Sequence, residues 1–304
     1  MKTRPWGCML STILLSVVTA TAAAAESPTL TKVRETGVLS LGYRESSIPF
    51  SYLDDRQQPV GYSMDLCMRI VAAVKRRLGL DHLQVKMTPV TSATRLPLVA
   101  NHMIDIECGT TTNNAERQKQ VGFTVTTFVA HSRIASLRSR PVRSLEDCRG
   151  KTIVSTAGTT SIAMLVEMNA RLALGMTILA GKDHVQSFQM LETRRADAFA
   201  MDDVLLHGLI ESSKDPSAFT IGTEALSVEP YALVLRKDDA VFKKLVDDEL
   251  ITMFRNGDIE AIYRKWFESP IPPQQVNLRM PMSSTLRRVF SAPTDSSSLS
   301  EYSF

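Results

Sequence analysis

The sequence predicts an α/β fold in two lobes, each an open, mainly parallel sheet flanked by helices, with two hinge crossings between them. Three observations carry this. Short β-branched or apolar runs alternate with stretches of helical period, the signature of βαβ units. The alternation starts near residue 38 and starts again after Pro141. The chain has 304 residues, which suits two domains at a soft prior of about 150 residues each.

The first 25 residues read as a cleaved export signal. Lys2 and Arg4 form the positive end, Met9 to Ala20 the apolar core, and Ala22, Ala23, Ala24 and Ala25 the small-residue cleavage region. The strongly apolar part falls short of the ~20 residues that a spanning helix needs. Cys8 precedes that core rather than following it, so the lipid-attachment pattern is missing. A soluble, periplasmic mature chain is expected.

Lobe 1 is expected over residues 26–130, lobe 2 over 131–228, and a return segment over 229–281 that completes lobe 1. In the first unit, strands are expected at Val38 to Tyr43, Gln84 to Val90 and Met103 to Cys108. A helix at Asp65 to Leu78 carries Leu66, Ile70, Val74 and Leu78 at helical spacing, with Gly79 as its stop. In the second unit, strands at Thr152 to Ser155, Met176 to Ala180 and Asp197 to Met201 alternate with helices at Ser161 to Leu174, Val185 to Arg195 and Asp203 to Ser212. Tyr231 to Leu235 is strand-like and leads into two amphipathic helices, Ala240 to Arg255 and Ile259 to Phe267. The hinges are expected near Phe128 to Ser132 and Ser227 to Tyr231. Residues 282–304 are rich in serine, and their end lacks a helical period, so a poorly ordered tail is expected there.

Composition narrows the function. A hydrophobic content of 44% and a formal charge of +3, falling to +1 without Lys2 and Arg4, describe a globular protein with no electrostatic footprint for nucleic acid. Cys67, Cys108 and Cys148 remain after cleavage, an odd count that argues against a disulfide framework. Quiet core packing is the expected role of Cys67 and Cys108. The five histidines form no HExxH pair, no cysteine pair has zinc spacing, and neither a Gly-x-Ser-x-Gly elbow nor a phosphate-cradling loop occurs. No metal and no cofactor are expected.

Four segments place small hydroxyl residues where a strand gives way to a loop or helix. They begin at Arg44, Thr91, Gly109 and Thr156, and run through Ser47, Arg95, Asn114 and Ser161 respectively. Ligands of open α/β sheets bind outside the carboxyl ends of strands, where helix N-termini offer free N–H groups to an anion. Singly, each hydroxyl is more often a helix cap and each arginine a solvated surface residue; their shared placement raises the functional reading.

These segments, with Gly61-Tyr62-Ser63-Met64-Asp65-Leu66 and the closing Lys265-Trp266-Phe267, resemble the bacterial solute-binding proteins of polar amino acid ABC transporters, family 3. The resemblance runs from Thr31 to about Met280 and implies the type II periplasmic binding protein fold. Arg44 to Tyr52, Glu107-Cys108-Gly109, Thr112 to Gln118 and Lys182-Asp183-His184 look like its glutamate/aspartate branch. The resemblance implies that Arg95 forks the ligand α-carboxylate and Asp202 receives the α-ammonium. It implies that Arg44 selects the side-chain carboxylate, helped by His184 and by hydroxyl or backbone donors at Thr159 and Thr160. Ser92, Thr110 and Thr112 correspond to contacting hydroxyls of lobe 1. His184 stands open between neutral donor, cation and structural residue, and Arg117 between loop brace and ligand contact. Thr110 stands where close relatives have serine and Tyr43 where they can have histidine. Leu233 lies where a relative can carry a cysteine, so no bridge from Cys108 to that strand is carried over.

The implied function is a non-enzymatic, monomeric binding protein that captures glutamate or aspartate by closure and delivers it to a membrane permease. The rival from another class is an enzyme on the same scaffold, such as a cyclohexadienyl dehydratase. Three candidate cleft arginines and an ammonium-binding aspartate suit a small dicarboxylate better than a ring. A signalling receptor's sensor is a third reading, but no signalling domain follows Phe267.

Overall fold

The structure, a computed structural model, describes residues 1–3 and 27–302; the expected export signal lies almost wholly outside them. Lobe 1 opens with helix α1 (Pro28–Thr36) and strand β1 (Val38–Tyr43), then the short hairpin strands β2 (Ser46–Ser47), β3 (Ser51–Leu53) and β4 (Pro59–Val60). There follow α2 (Tyr62–Leu78), β5 (Gln84–Pro89), α3 (Arg95–Ala100), β6 (Ile106–Thr112) and β7 (Gly122–Phe123). Strand β8 (Phe128–Leu137) crosses into lobe 2, which comprises β9 (Thr152–Thr156), α4 (Thr160–Arg171), β10 (Thr177–Gly181), α5 (His184–Glu192), β11 (Ala198–Asp202), α6 (Asp203–Glu211) and β12 (Phe219–Ile221). Strand β13 (Ser227–Leu235) crosses back, ahead of α7 (Ala240–Asn256), α8 (Asp258–Phe267) and α9 (Ser284–Ser291). Among the described residues no helix is long and apolar enough to cross a membrane.

The sheets of the two lobes run into one another through the crossings. The strand order is β10-β9-β11-β8-β13-β6-β1-β5, with β12 added to β8 and β7 to β13. Within each lobe the order is mainly parallel, β1 with β5 and β6, and β9 with β10 and β11. The crossings pair antiparallel, Ser227 to Tyr231 against Ser132 to Phe128, at the expected hinge positions. Phe128 and Tyr231 also join Phe50, Tyr62, Tyr263 and Phe267 in an aromatic cluster with ring centroids 4.3 to 6.4 Å apart. The pivot is thereby anchored in the lobe 1 core.

Three expectations are corrected. The third strand runs on through Thr112 rather than ending at Cys108, because Tyr231 and Ala232 of β13 pair with Thr112 and Thr111. Cys67 and Cys108 form a disulfide: the buried face of α2 lies over β6 and brings their Cα atoms to 6.2 Å. Among the described residues Cys148 is the free thiol, and burial pushes it up to about 12. The tail is ordered through Tyr302. Leu286, Val289 and Phe290 of α9 are buried, Phe290 stacks on Phe254 at 4.5 Å, and the Tyr302 hydroxyl meets Thr126 Oγ1 at 2.8 Å. A capping Ser283 and an apolar stripe at positions 286, 289 and 290 give this stretch its helix.

Candidate functional site

The segment from the end of β5 into α3, the β6 strand, the first turns of α4 and α5, and the end of β11 with the start of α6 converge between the lobes. They close around a void of only about 10 Å3, lined by Ser92, Arg95, Thr110, Thr112, Thr159, Thr160, His184, Met201, Asp202 and Leu205. That is about the room of one water molecule and far below the roughly 300–1,000 Å3 of sites for drug-sized ligands, so a ligand enters only if the lobes part. Eight of the nine candidate residues line it. The ninth, Arg44, stands behind the wall: its Nη2 donates to Ser92 Oγ at 2.9 Å and faces His184 Nε2 at 3.4 Å.

The lobes are closed on each other. A Cβ on Gly158, at φ +78°, would lie 2.6 Å from the Ala93 Cα, so only glycine permits this approach. Arg117 of lobe 1 donates through Nη1 to the Thr112 carbonyl at 2.9 Å and through Nη2 to the Gly158 carbonyl at 3.2 Å of lobe 2. It braces its own loop at Thr112, where loop brace and ligand contact were the two roles open to it, and it also ties that loop to lobe 2.

The cavity is strongly polarised. Arg44 and Arg95 are 1% and 2% exposed. Arg95 Nη1 donates to the Thr110 carbonyl at 3.0 Å, and Glu107 Oε1 lies 3.9 Å from it. Arg44 Nη1, Arg95 Nε and Glu107 Oε1 are buried without a hydrogen-bond partner. Burial, with Arg95 nearby, brings the Arg44 pKa down to about 9. Buried cations with unspent donors call for an anion. Burial and the two arginines also hold His184 well below the usual imidazole range, so it is neutral. A guanidinium cannot accept, so Nε2 presents its lone pair to Arg44 and Nδ1–H donates to Thr156 Oγ1 at 2.9 Å.

The opposite end is acidic. Asp202 is 4% exposed and takes a hydrogen bond from the Tyr231 hydroxyl. Burial, reinforced by Glu229, raises its carboxyl to about 8; a cation beside it would restore the carboxylate. Asp203, not Asp202, holds the nearby backbone, accepting from the His131 N–H at 3.1 Å and its own neighbour Val204 at 2.8 Å. Asp202 therefore has no capping bond to make.

Of the hydroxyl or backbone donors expected at Thr159 and Thr160, the hydroxyls are already committed. Thr159 Oγ1 donates to the Thr156 carbonyl at 2.7 Å and caps α4 at the Ile162 N–H. Thr160 Oγ1 donates to Glu229 Oε2 at 2.8 Å. Neither hydrogen is left for a carboxylate, and any donors from this turn are backbone N–H groups. Sequence reasoning missed Met201 and Leu205, and the supporting Tyr231 and Glu229. Met201 closes a strand that had been expected and Leu205 follows in the helix after it. Tyr231 and Glu229 lie on the expected crossing, but their reach into the site depends on where β13 lies. A wider, solvent-open groove between α6 and residues 270–281, including His207 and Arg279, holds no buried charge.

The profile of the bacterial extracellular solute-binding proteins, family 3, matches residues 39–269. The L-glutamate/L-aspartate-binding protein of Pseudomonas aeruginosa is 46% identical over 290 residues, 94% of this chain and 96% of that one. The glutamate/aspartate import solute-binding protein of Salmonella typhimurium is 44% identical over 273 residues, 90% of each. Among solved structures, an ancestral arginine-binding protein bound to arginine superposes with a TM-score of 0.68 at 27% identity, covering 76% of this chain and 98% of that one.

Proposed function

Because the chain belongs to family 3 of the bacterial extracellular solute-binding proteins, we propose that its cleft captures glutamate or aspartate for an ABC import permease. The observation that carries this is the polarised cavity, with two buried arginines holding unspent donors at one end and Asp202 at the other. Arg95 takes the α-carboxylate, Asp202 the α-ammonium, and Arg44, reached past Ser92 and His184, the side-chain carboxylate. Thr110 and Thr112 line the lobe 1 side and the first turn of α4, at Thr159 and Thr160, the lobe 2 side. The relatives' names support the ligand class and speak of binding and import rather than of a reaction. The protein acts as a monomer in the periplasm after loss of residues 1–25.

Capture works by closure, since the ligand is the only partner that completes both charged ends at once. Its differential affinity for the closed state shifts the population. Two measurements test this. Calorimetry on refolded, ligand-free protein should give saturable binding of L-glutamate or L-aspartate, with L-glutamine and L-asparagine weaker. Solution scattering should show the radius of gyration fall on binding. An unchanged radius despite saturation would defeat the closure mechanism, and absence of binding would defeat the ligand assignment.

A further inference from the structure

Thr112 and Thr160 reach the cavity from opposite lobes, and each donates its hydroxyl hydrogen to the same atom. Glu229 Oε2 accepts from Thr112 at 2.7 Å and from Thr160 at 2.8 Å, while Oε1 accepts from Ser227 at 2.5 Å. Glu229 is 3% exposed and sits on the returning hinge strand, paired with Ala130 of the outgoing one. A hydroxyl owns one hydrogen and two lone pairs, and a carboxylate only accepts. With their hydrogens committed, Thr112 and Thr160 offer only lone pairs to the cavity. They suit a donor and repel an anion.

We propose that Glu229 is a positioning residue for the amine end of the ligand, turning two cavity threonines into acceptors beside Asp202. This rests on the ligand assignment above and extends it to a residue that touches no ligand. Glu229 also adds a negative charge behind those threonines, which favours a protonated amine over a neutral group. Because one threonine belongs to each lobe, the acceptor pair exists only when the cleft is closed. Recognition of the amine and closure are thus one event.

The test compares L-glutamate with glutarate, the same dicarboxylate without the amine. Glutamate is titrated directly and glutarate by competition, on wild type, Glu229→Met and Thr160→Val. Methionine in place of Glu229 removes the shared acceptor at similar volume, so the threonine hydrogens are free to turn into the cavity. The expected result is that the preference for glutamate over glutarate falls at least about tenfold in Glu229→Met, the worth of one hydrogen bond to a charged group. Thr160→Val, which removes one acceptor and spares Glu229, should lower the preference severalfold and decides the matter if the first variant does not fold. A preference left unchanged, with both ligands weakened alike, would overturn the proposal and reduce Glu229 to a structural brace. Wild-type protein that binds neither ligand would bring down the ligand assignment as well.

Discussion

Replacing Arg44 by methionine removes the charge and keeps most of the volume. Arg44 is buried with Nη1 unpaired, and burial brings its pKa from the usual guanidinium range down to about 9. At roughly 1.4 kcal/mol per tenfold, holding it charged in the empty closed cleft costs on the order of 5 kcal/mol. A ligand carboxylate offsets that cost, and removing one partner of a buried charge pair typically loses about 2–5 kcal/mol. The expected loss for L-glutamate in Arg44→Met is therefore about 30- to 4,000-fold. L-Glutamine, which brings no side-chain charge, should lose under about tenfold, because a neutral amide gains little from a cation it cannot neutralise. The empty variant should also close more readily, giving a smaller radius of gyration than empty wild type. The assay is calorimetry with both ligands, backed by scattering on ligand-free protein. Equal losses for glutamate and glutamine would refute Arg44 as the selector of the side-chain carboxylate.

Three further outcomes follow from the same structure. The Asp202 carboxyl is raised in the folded protein, so the fold binds more protons than the unfolded chain between about pH 4 and pH 8. Stability of the ligand-free protein should fall as pH rises through that window, the thermal shift caused by glutamate should grow, and Asp202→Asn should flatten both; parallel curves for variant and wild type would refute this. The disulfide closes a loop with a sequence separation of 41 residues, worth about 4 kcal/mol in the chain-entropy account. The double variant Cys67→Ala, Cys108→Ala should melt roughly 8 °C or more below wild type by calorimetry, and an unchanged Tm would show that the bridge adds nothing. Truncation after Pro281 removes buried Leu286, Val289, Phe290 and Tyr302, each worth about 1.5–3 kcal/mol. It should lower the Tm and spare glutamate specificity; an unchanged Tm would mean the tail packs without stabilising.

What the sequence made legible were features written in local pattern. Strands β1, β9 and β11 and helices α2, α7 and α8 carry their apolar period and their caps within a few residues. The Arg44 and Thr156 segments were legible because a strand ending in hydroxyl residues is a local motif, and both crossings fell where expected. The hairpin β2 to β4 was missed because strands of two or three residues show no period. Strand β6 was read too short because Gly109 and three threonines look like a loop until β13 lies beside them. The disulfide and Glu229 depend on contacts 41 and 117 residues apart in sequence. No nearby residue announces either one.

The buried charges disfavour the closed cleft when it is empty. Arg44, Arg95 and Arg117 are all held below their usual pKa by burial, and Asp202 above its own, so every one of these groups is destabilised by closing on nothing. Glu107 offsets part of this for the three arginines and Glu229 for Arg117, while Glu229 adds to the load on Asp202. A zwitterion with two carboxylates and one ammonium reverses the sign of each term that remains: it neutralises the arginines at one end and ionises Asp202 at the other. A ligand lacking the second carboxylate leaves Arg44 uncompensated, and one lacking the amine leaves Asp202 protonated and two threonine acceptors unused. Selectivity and closure therefore draw on the same buried charges, and a variant that weakens one without the other would have to act outside this cavity.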